Sequence, residues 1–292
     1  MSGSLQFEIP LFAEGDQGAA FRLRNEQGEM QRTHIIQEGS ELTVQGDFFS
    51  IVHGVYTPGG DPASLVVIDF RFMGSSSRET RFKTAKIEIK FAALGTSPDE
   101  EPEVKKIAPH GTFFLNPSTE TVTTTLSANA SAGAGAGPVT LGIGAGWERT
   151  KTNVHKARTT LMGTSWIDGR DTGKPNMGRW KLSENKIDKL GIPGFLRTAI
   201  LVVQRVPERF QALVTVEMEV NLGYKIQEQA RRFMGRRIVD TIDPVFFDEG
   251  AKRQPAGAQL TGIDTEHLGA SDLEHLSIVR DGQTLVPHAV SS

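Results

Sequence analysis

A two-residue alternation of apolar and polar side chains runs through much of this chain, and no other feature of the sequence constrains the fold so strongly. In residues 81–91, apolar side chains at every second position alternate with lysine and glutamate, and residues 210–222 repeat the pattern. Because successive side chains of a strand point to opposite faces, the pattern predicts half-buried antiparallel strands with one solvated face. Residues 195–203 are almost continuously apolar, which predicts a central strand covered on both faces.

Two pairs of these segments are separated by short connections, and we expect each pair to form a hairpin. Residues 65–72 are followed by a turn-forming glycine and serine segment and then by residues 81–91. Residues 195–203 are followed closely by residues 210–222. A short polar link between two such runs is the usual sign of two antiparallel strands that pair side by side.

Helix signals are sparse in this chain. Residues 224–240 predict one helix, and residues 271–277 predict a second that begins with a capping box of a serine and a glutamate three residues later. We therefore predict an all-β, mainly antiparallel fold: a β-sandwich or flattened barrel with one or two peripheral helices. Residues 1–250 would form a single β-rich domain, and residues 251–292, in which apolar residues become fewer, a tail or strap packed on it.

Residues 121–147 combine strict alternation with small side chains. Up to Gly137 the even positions carry valine, threonine, leucine and then alanines, whereas after Pro138 the phase inverts and the odd positions are apolar. This predicts one long Gly/Ala-rich β-hairpin that turns near these two residues. We take it first as a pair of strands packed closely against another sheet or a ligand, since alanine gains little from transfer into lipid. The alternative is a hairpin that inserts into a membrane, for which strands of about 9–11 residues suffice.

Composition and missing motifs narrow the classes of function. The net charge of −3 makes nucleic acid an unexpected partner, because domains that neutralise phosphates are usually far more basic. The absence of cysteine excludes disulfides, thiolate metal sites and a cysteine nucleophile, and it fits a reducing, cytoplasmic location. We find no secretory signal, long apolar stretch, P-loop, GxGxxG, HExxH or GxSxG motif, and the histidines are scattered. We therefore expect neither a cofactor nor a metal ion.

Aromatic and ionisable side chains concentrate in two strand-like stretches, residues 164–171 and 179–186. The candidate site residues there are Trp166, Asp168, Arg170, Trp180, Glu184 and Asn185. The two tryptophans could form a stacking wall for a flat ligand, with the asparagine as a further binding residue. The two carboxylates and the arginine could then serve as catalytic groups that transfer protons or donate hydrogen bonds. The alternative is that the indoles pack in the core and the charges form surface ion pairs.

His53 and Tyr56 form a second candidate catalytic pair, for acid/base chemistry. Residues three apart on a regular strand face opposite sides, so the two side chains would not meet there. A bulge at Gly54 would bring them together.

Three runs in the second half of the chain carry a resemblance: WKLSENK at 180–186, GIPGFLRTAILVVQR at 191–205 and DPVFFD at 243–248. Over about residues 111–250 the chain resembles a set of uncharacterised fungal β-rich proteins. Such proteins are sometimes found in natural-product gene clusters, among whose products are cofactor-independent cyclases and Diels–Alderases with β-rich folds. The resemblance implies a small-molecule enzyme of this kind and assigns no residue to it.

Three hypotheses of function follow from the sequence. The first is a pocket for an apolar or aromatic small molecule in the β domain, used by a cofactor-independent enzyme for dehydration, cyclisation or cycloaddition. The second is a membrane-interacting or pore-forming protein that uses the hairpin at residues 121–147. The third is a non-enzymatic interaction module that presents a sheet edge to a partner. A homo-oligomer is compatible with all three.

Overall fold

The alternating runs form strands in the computed structural model of the chain, which describes residues 34–39, 42–74, 81–94, 101–127, 148–169, 173–205, 209–221, 244–248, 260–281 and 284–285. The strands are β1 (His34–Gly39), β2 (Leu42–Val55), β3 (Pro62–Gly74), β4 (Arg81–Ala93), β5 (Glu103–Ala108), β6 (Gly111–Ser127), β7 (Glu148–Trp166), β8 (Met177–Ser183), β9 (Phe195–Val203), β10 (Phe210–Asn221), β11 (Val245–Phe247), β12 (Ile278–Asp281) and β13 (Thr284–Leu285). A 3₁₀ helix covers Thr265–Ala270, and a short helix, α1, covers Leu273–Leu276. The prediction of an all-β fold with minor helices is confirmed.

All of these strands belong to two antiparallel sheets that are not closed into a barrel. Sheet A has the order β1-β2-β3-β9-β12-β13, with β5 also paired to β9, and sheet B has the order β11-β10-β4-β8-β7-β6. The run predicted to form a central strand is β9, which has β3 along one edge and β5 and β12 along the other. It is buried along most of its length, so this prediction is confirmed.

Both hairpins predicted from short connections are wrong. Strand β3 pairs with β2 and β9 in sheet A, whereas β4 pairs with β10 and β8 in sheet B. In the same way, β9 belongs to sheet A and β10 to sheet B. Each short link therefore joins opposite sheets. Alternation shows which side chains are buried, but it does not distinguish a strand paired at the edge from a strand packed face to face.

One hydrophobic cluster joins the facing sides of the two sheets. Phe210 and Phe247 of sheet B stack there with ring centroids 4.6 Å apart, and Phe48 of sheet A meets Phe247 edge-on at 5.8 Å. Aromatic pairs in these geometries add to the stabilisation that burial provides. The cluster thereby fixes β2 against β10 and β11.

A second hydrophobic cluster covers the other side of sheet A. Leu65 of β3 packs there with Leu268 of the 3₁₀ helix and Leu273 of α1. The approach is close, because a Cβ atom on Gly54 would lie 2.1 Å from the carbonyl oxygen of Thr265. Only glycine leaves room for the backbone at this point.

The helix predicted over residues 271–277 is shorter in the structure and has a different N-cap. Asp272 is the cap: its Oδ1 accepts a hydrogen bond from the backbone N–H of His275 at 3.3 Å. The helix predicted over residues 224–240 lies outside the described residues. In the part of the chain that the structure describes, no helix combines the length and apolar character needed to cross a membrane.

Candidate functional site

Strands β6 and β7 form an antiparallel hairpin that continues past the rest of sheet B. They have 17 and 19 residues and pair from Gly111–Gly163 to Ser127–Glu148. Strand β8 pairs with β7 only over residues 160–166. Beyond this, residues 118–127 and 148–157 form ten further pairs, about 30 Å of ladder at roughly 3.3 Å per residue. We call this part the extended hairpin; among the described strands it pairs with none outside itself.

Asn185 holds the point at which the extended hairpin leaves sheet B. Its side chain is buried, and its two Nδ2 hydrogens are shared among Ser118 Oγ at 2.7 Å, the carbonyl oxygen of Asn116 at 2.9 Å, Asp188 Oδ2 at 3.0 Å and the carbonyl oxygen of Ala157 at 3.3 Å. Its Oδ1 accepts from the backbone N–H of Ile187 at 2.9 Å. One amide thus joins the turn after β8 to both strands of the hairpin. We call it the Asn185 clamp.

Strand β6 carries a bulge at the same place. Its register with β7 shifts between Leu115 and Ser118, and Asn116 has a φ of 46°. Asparagine adopts this left-handed conformation more readily than most residues. Because a bulge bends a strand and increases its twist, the hairpin changes course where the Asn185 clamp contacts it.

The solvent-facing side of sheet B carries three large apolar side chains near the base of the hairpin. Phe114, Met162 and Trp166 are 50%, 49% and 48% exposed, whereas their neighbour Leu161 is fully buried. Single exposed apolar residues are ordinary on protein surfaces. All three lie on one face of two paired strands, and exposed apolar side chains grouped on one face often mark interaction sites. We call these three residues the outer patch.

Positive charges lie around the outer patch. The Arg158 Cζ is 3.9 Å from the centroid of the patch phenylalanine, and the Arg179 Cζ is 4.6 Å from that of the indole, as in cation–π pairs. Lys181 lies opposite the patch methionine in the β7–β8 ladder and is exposed. Arg179 is paired with Glu88 at 2.6 Å. No carboxylate in the described part of the chain pairs with the other two cations.

The structure places the two predicted ligand-binding tryptophans on opposite faces of sheet B. Trp180 is fully buried, and its Nε1 donates to the carbonyl oxygen of Pro109 at 3.0 Å. A Cβ atom on Gly163, the residue opposite it, would lie 1.9 Å from that oxygen. Trp166 belongs to the solvent-facing outer patch. The two indoles do not line one cavity, and their roles as ligand-binding residues stay predictions.

Both predicted catalytic carboxylates form ion pairs. Glu184 is buried with Arg81, whose Nε and Nη2 donate to its two oxygens at 2.6 and 3.1 Å. Asp168 accepts from Lys90 Nζ at 2.8 Å in a more exposed position. Arg170 lies outside the described residues. Catalytic roles for the three stay predictions.

His53 and Tyr56 have different neighbours in the structure. The His53 Nδ1 lies 2.8 Å from Ser64 Oγ. Burial lowers the pKa of the His53 imidazole, and the negative charge of Asp248 acts in the opposite direction. The Tyr56 ring packs on the second cluster, and its carbonyl accepts from the backbone N–H of Gly269 at 2.8 Å. An acid/base partnership between the two stays a prediction.

An open cleft of about 500 Å³ lies elsewhere, between β5, the end of β7 and α1. Charges of both signs line it, among them Lys105, Lys106 and Glu274. The backbone N–H of His110 donates to Glu274 Oε1 at 2.9 Å across 164 residues of sequence. That separation is why no sequence pattern indicated the cleft, and none of the predicted site residues that the structure describes lines it. The described residues also contain no cluster of histidine and carboxylate side chains suited to a metal ion.

Comparison with known proteins gives little more. No family model and no curated protein matches the sequence. Among solved structures, the chain is similar to the Clostridium perfringens NetB toxin in its membrane-inserted form, at 10% identity and a TM-score of 0.26 over 73% of this chain and 87% of that one. It is also similar to a structure described as a pore-forming protein, at 8% identity and a TM-score of 0.30 over 61% and 74% of the two chains. Scores this low carry no argument about this chain.

Proposed function

We propose that this protein acts on membranes by inserting the end of the β6–β7 hairpin into a lipid bilayer, together with hairpins from further copies. The observation that carries the proposal is the extended hairpin, which continues for ten residue pairs beyond β8. An isolated two-stranded hairpin has little stability in water, and among the described strands the extended hairpin pairs with none outside itself. The segment beyond it, residues 128–147, has two legs of nine residues, and an extended leg of that length would span about 30 Å, close to the thickness of a hydrocarbon core.

The register of the extended hairpin supports the choice of the inserted segment. The described ladder ends at the pair Ser127–Glu148. The same register, continued through residues 128–147, would leave Gly137-Pro138 as a two-residue turn, the point at which the sequence alternation inverts. Residues 128–147 lie outside the described residues. The register of the described ladder and the alternation in the sequence therefore each indicate, separately, a turn at Gly137-Pro138. Two independent features thus favour the same turn.

The second leg of this segment has the alternation that insertion needs, whereas the first leg offers only alanine to lipid. The two legs, residues 128–136 and 139–147, have nine residues each and contain no charged residue and no histidine. In the second leg, valine, leucine, isoleucine, alanine and tryptophan alternate with threonine and glycine, so one face would meet lipid and the other water. Trp147 stands next to the charged Glu148 and Arg149, as tryptophans do where a membrane meets water.

Backbone hydrogen bonding explains why further copies are required. In lipid every backbone N–H and C=O group needs a partner, because no water is available to replace one. Within the described residues, the outer edges of both strands of the extended hairpin are unpaired, and residues 128–147 would continue the same two edges into lipid. Exposed strand edges are templates for pairing with another chain. Hairpins from neighbouring copies, placed side by side, would supply the missing partners.

The test is dye release from vesicles combined with site-specific labelling of the full chain, which has no cysteine of its own. Four variants each carry a single cysteine labelled with an environment-sensitive fluorophore. Two have it at an even position, Ala130 or Ala132, and two at an odd position, Asn129 or Ser131. With vesicles, we expect dye release and a blue-shifted emission at the two alanine positions only.

A label on Lys174→Cys, in the exposed loop before β8, serves as the control and should not shift. Absence of dye release from both neutral and anionic vesicles at micromolar protein would contradict the proposal. Unchanged emission at all four hairpin positions would contradict it equally.

An enzyme that acts on an apolar or aromatic small molecule stays a prediction. In the part of the chain that the structure describes, Trp180 is enclosed by the core and Trp166 faces solvent, so no cavity forms between them. Turnover of candidate substrates by the wild type, lost in Asp168→Ala and in Glu184→Gln with the fold intact, would support that prediction.

A further inference from the structure

We infer that the outer patch and the cations beside it form the surface with which this protein first docks on an anionic lipid bilayer, before any hairpin inserts. The inference rests on the proposed function, because it names the class of lipid that the protein would meet. It concerns a different surface from the inserted segment and a different step, so that the two can fail separately.

The apolar part of this surface is already exposed in the folded protein. Phe114, Met162 and Trp166 each leave about half of the side chain in solvent, and all three lie on the face of β6 and β7 that points away from the core. An amphipathic indole is well suited to the boundary between headgroups and acyl chains. Docking through these side chains needs no change in either sheet.

The charged part of the surface selects the lipid. Lys156 and Arg158 on β7 and Lys181 on β8 are exposed, and none of them pairs with a carboxylate in the described part of the chain. On the same face, Glu88 is paired with Lys86 and Arg179. Glu217 also lies beside Lys86, at 3.7 Å, so the carboxylates of this face are grouped around Lys86 and Arg179 rather than around these three cations. A leaflet with anionic lipids attracts such a cluster, whereas a neutral leaflet does not.

Both parts lie on one face of sheet B. Lys181 is opposite Met162 in the β7–β8 ladder, and the Arg158 guanidinium lies over the Phe114 ring. Apolar side chains surrounded by lysine and arginine are the pattern of segments that lie in the interface of a bilayer. An acidic protein would match the cations but would leave the three apolar side chains without a reason to be exposed.

The experiment is co-sedimentation of the full chain with phosphatidylcholine vesicles that contain or lack phosphatidylserine. We expect binding to the anionic vesicles only, weakened by added salt. Trp166→Ala should weaken it about tenfold through lost apolar contact, and Lys181→Ala about fivefold through lost charge attraction. Leu190→Ser and Lys174→Ala are matched controls at other exposed positions and should bind like the wild type.

Equal binding to both kinds of vesicle, or wild-type binding by the Trp166 and Lys181 variants, would overturn the inference. Self-association in solution that is lost in Trp166→Ala would also overturn it, because the surface would then belong to a second copy. Dye release that does not depend on these residues would leave the proposed function standing without the docking surface. Vesicle binding that depends on the outer patch, without dye release, would support the docking surface and contradict the proposed function.

Discussion

Removing the side chain of Asn185 should loosen the hairpin at its base. In the folded protein this buried amide donates to Ser118 and Asn116 on β6 and to Ala157 on β7. Alanine keeps the backbone conformation accessible but provides neither donor nor acceptor. The variant Asn185→Ala therefore separates the turn after β8 from both strands of the hairpin without altering any residue of those strands.

The magnitude follows from the hydrogen bonds that an amide can make. Two N–H donors and one carbonyl acceptor are lost, at about 1 kcal/mol each, so Asn185→Ala should lower the free energy of unfolding by about 3 kcal/mol. For a domain of this size, roughly 2–4 °C in Tm accompanies each kcal/mol. We therefore expect the Tm to fall by about 6–12 °C.

Hydrogen exchange locates the effect, and a second buried asparagine provides the control. Asn176 is also buried, and its side chain makes two hydrogen bonds to the backbone of Asp168, at 2.8 and 3.1 Å, away from the extended hairpin. Both alanine variants should unfold at lower urea concentration. Only Asn185→Ala should speed amide exchange in residues 113–127 and 148–160.

Two results would refute this reasoning. If Asn185→Ala exchanges in the hairpin at the wild-type rate, the amide does not hold the branch point. If Asn176→Ala accelerates exchange there equally, the effect is one of global stability. Under the proposed function the clamp would oppose movement of the hairpin, so Asn185→Ala should also release dye from vesicles sooner than the wild type at equal protein concentration.

Two further predictions concern ionisable groups. Glu184→Gln leaves the buried Arg81 without its counter-charge and should lower the free energy of unfolding by about 3–5 kcal/mol in urea titrations. Asp168→Asn, at the more exposed pair with Lys90, should change the same free energy by less than about 1 kcal/mol. Equal effects of the two variants would show that burial of the ion pair does not determine the loss of stability. Because burial lowers the pKa of His53 in the folded state, the unfolded chain takes up a proton first as pH falls, so stability should decrease from about pH 6.5 downward until the folded-state pKa is passed. His53→Gln should flatten this part of a plot of Tm against pH, and an unchanged slope would assign the dependence to other groups.

Alternation in the sequence identified strands and their buried faces well, because burial of alternate side chains is a local property. Strands β4 and β10 have the faces that their patterns predicted. Which strands pair side by side is not a local property, because a strand that follows in sequence can lie beside the first in the same sheet or across from it in the other sheet. The two mistaken hairpins arose because a short link can connect either arrangement.

The candidate site was harder to predict, because residue type and burial disagree in β7. Apolar residues occupy both faces of this strand: Leu161 is buried, whereas Met162 and Trp166 are exposed. The sequence alone does not distinguish Trp166 from Trp180 as a core residue. The two differ only in which face of sheet B each side chain occupies. Asn185 contacts residues up to 69 positions away, so its role as a clamp had no pattern to reveal it.

The edges of the extended hairpin would promote association of copies in solution, and the positive charges nearby would oppose it. The two edges, which have no partner strand among the described residues, would favour pairing between copies in solution, where it would lead to aggregation. Lys156 and Arg158 are exposed on β7, close to where the extended hairpin begins, and like charges on neighbouring copies oppose this pairing. An anionic leaflet would neutralise these cations on contact. Under the proposed function, the same charges that bring the protein to the bilayer would therefore restrict assembly of hairpins to the bilayer surface.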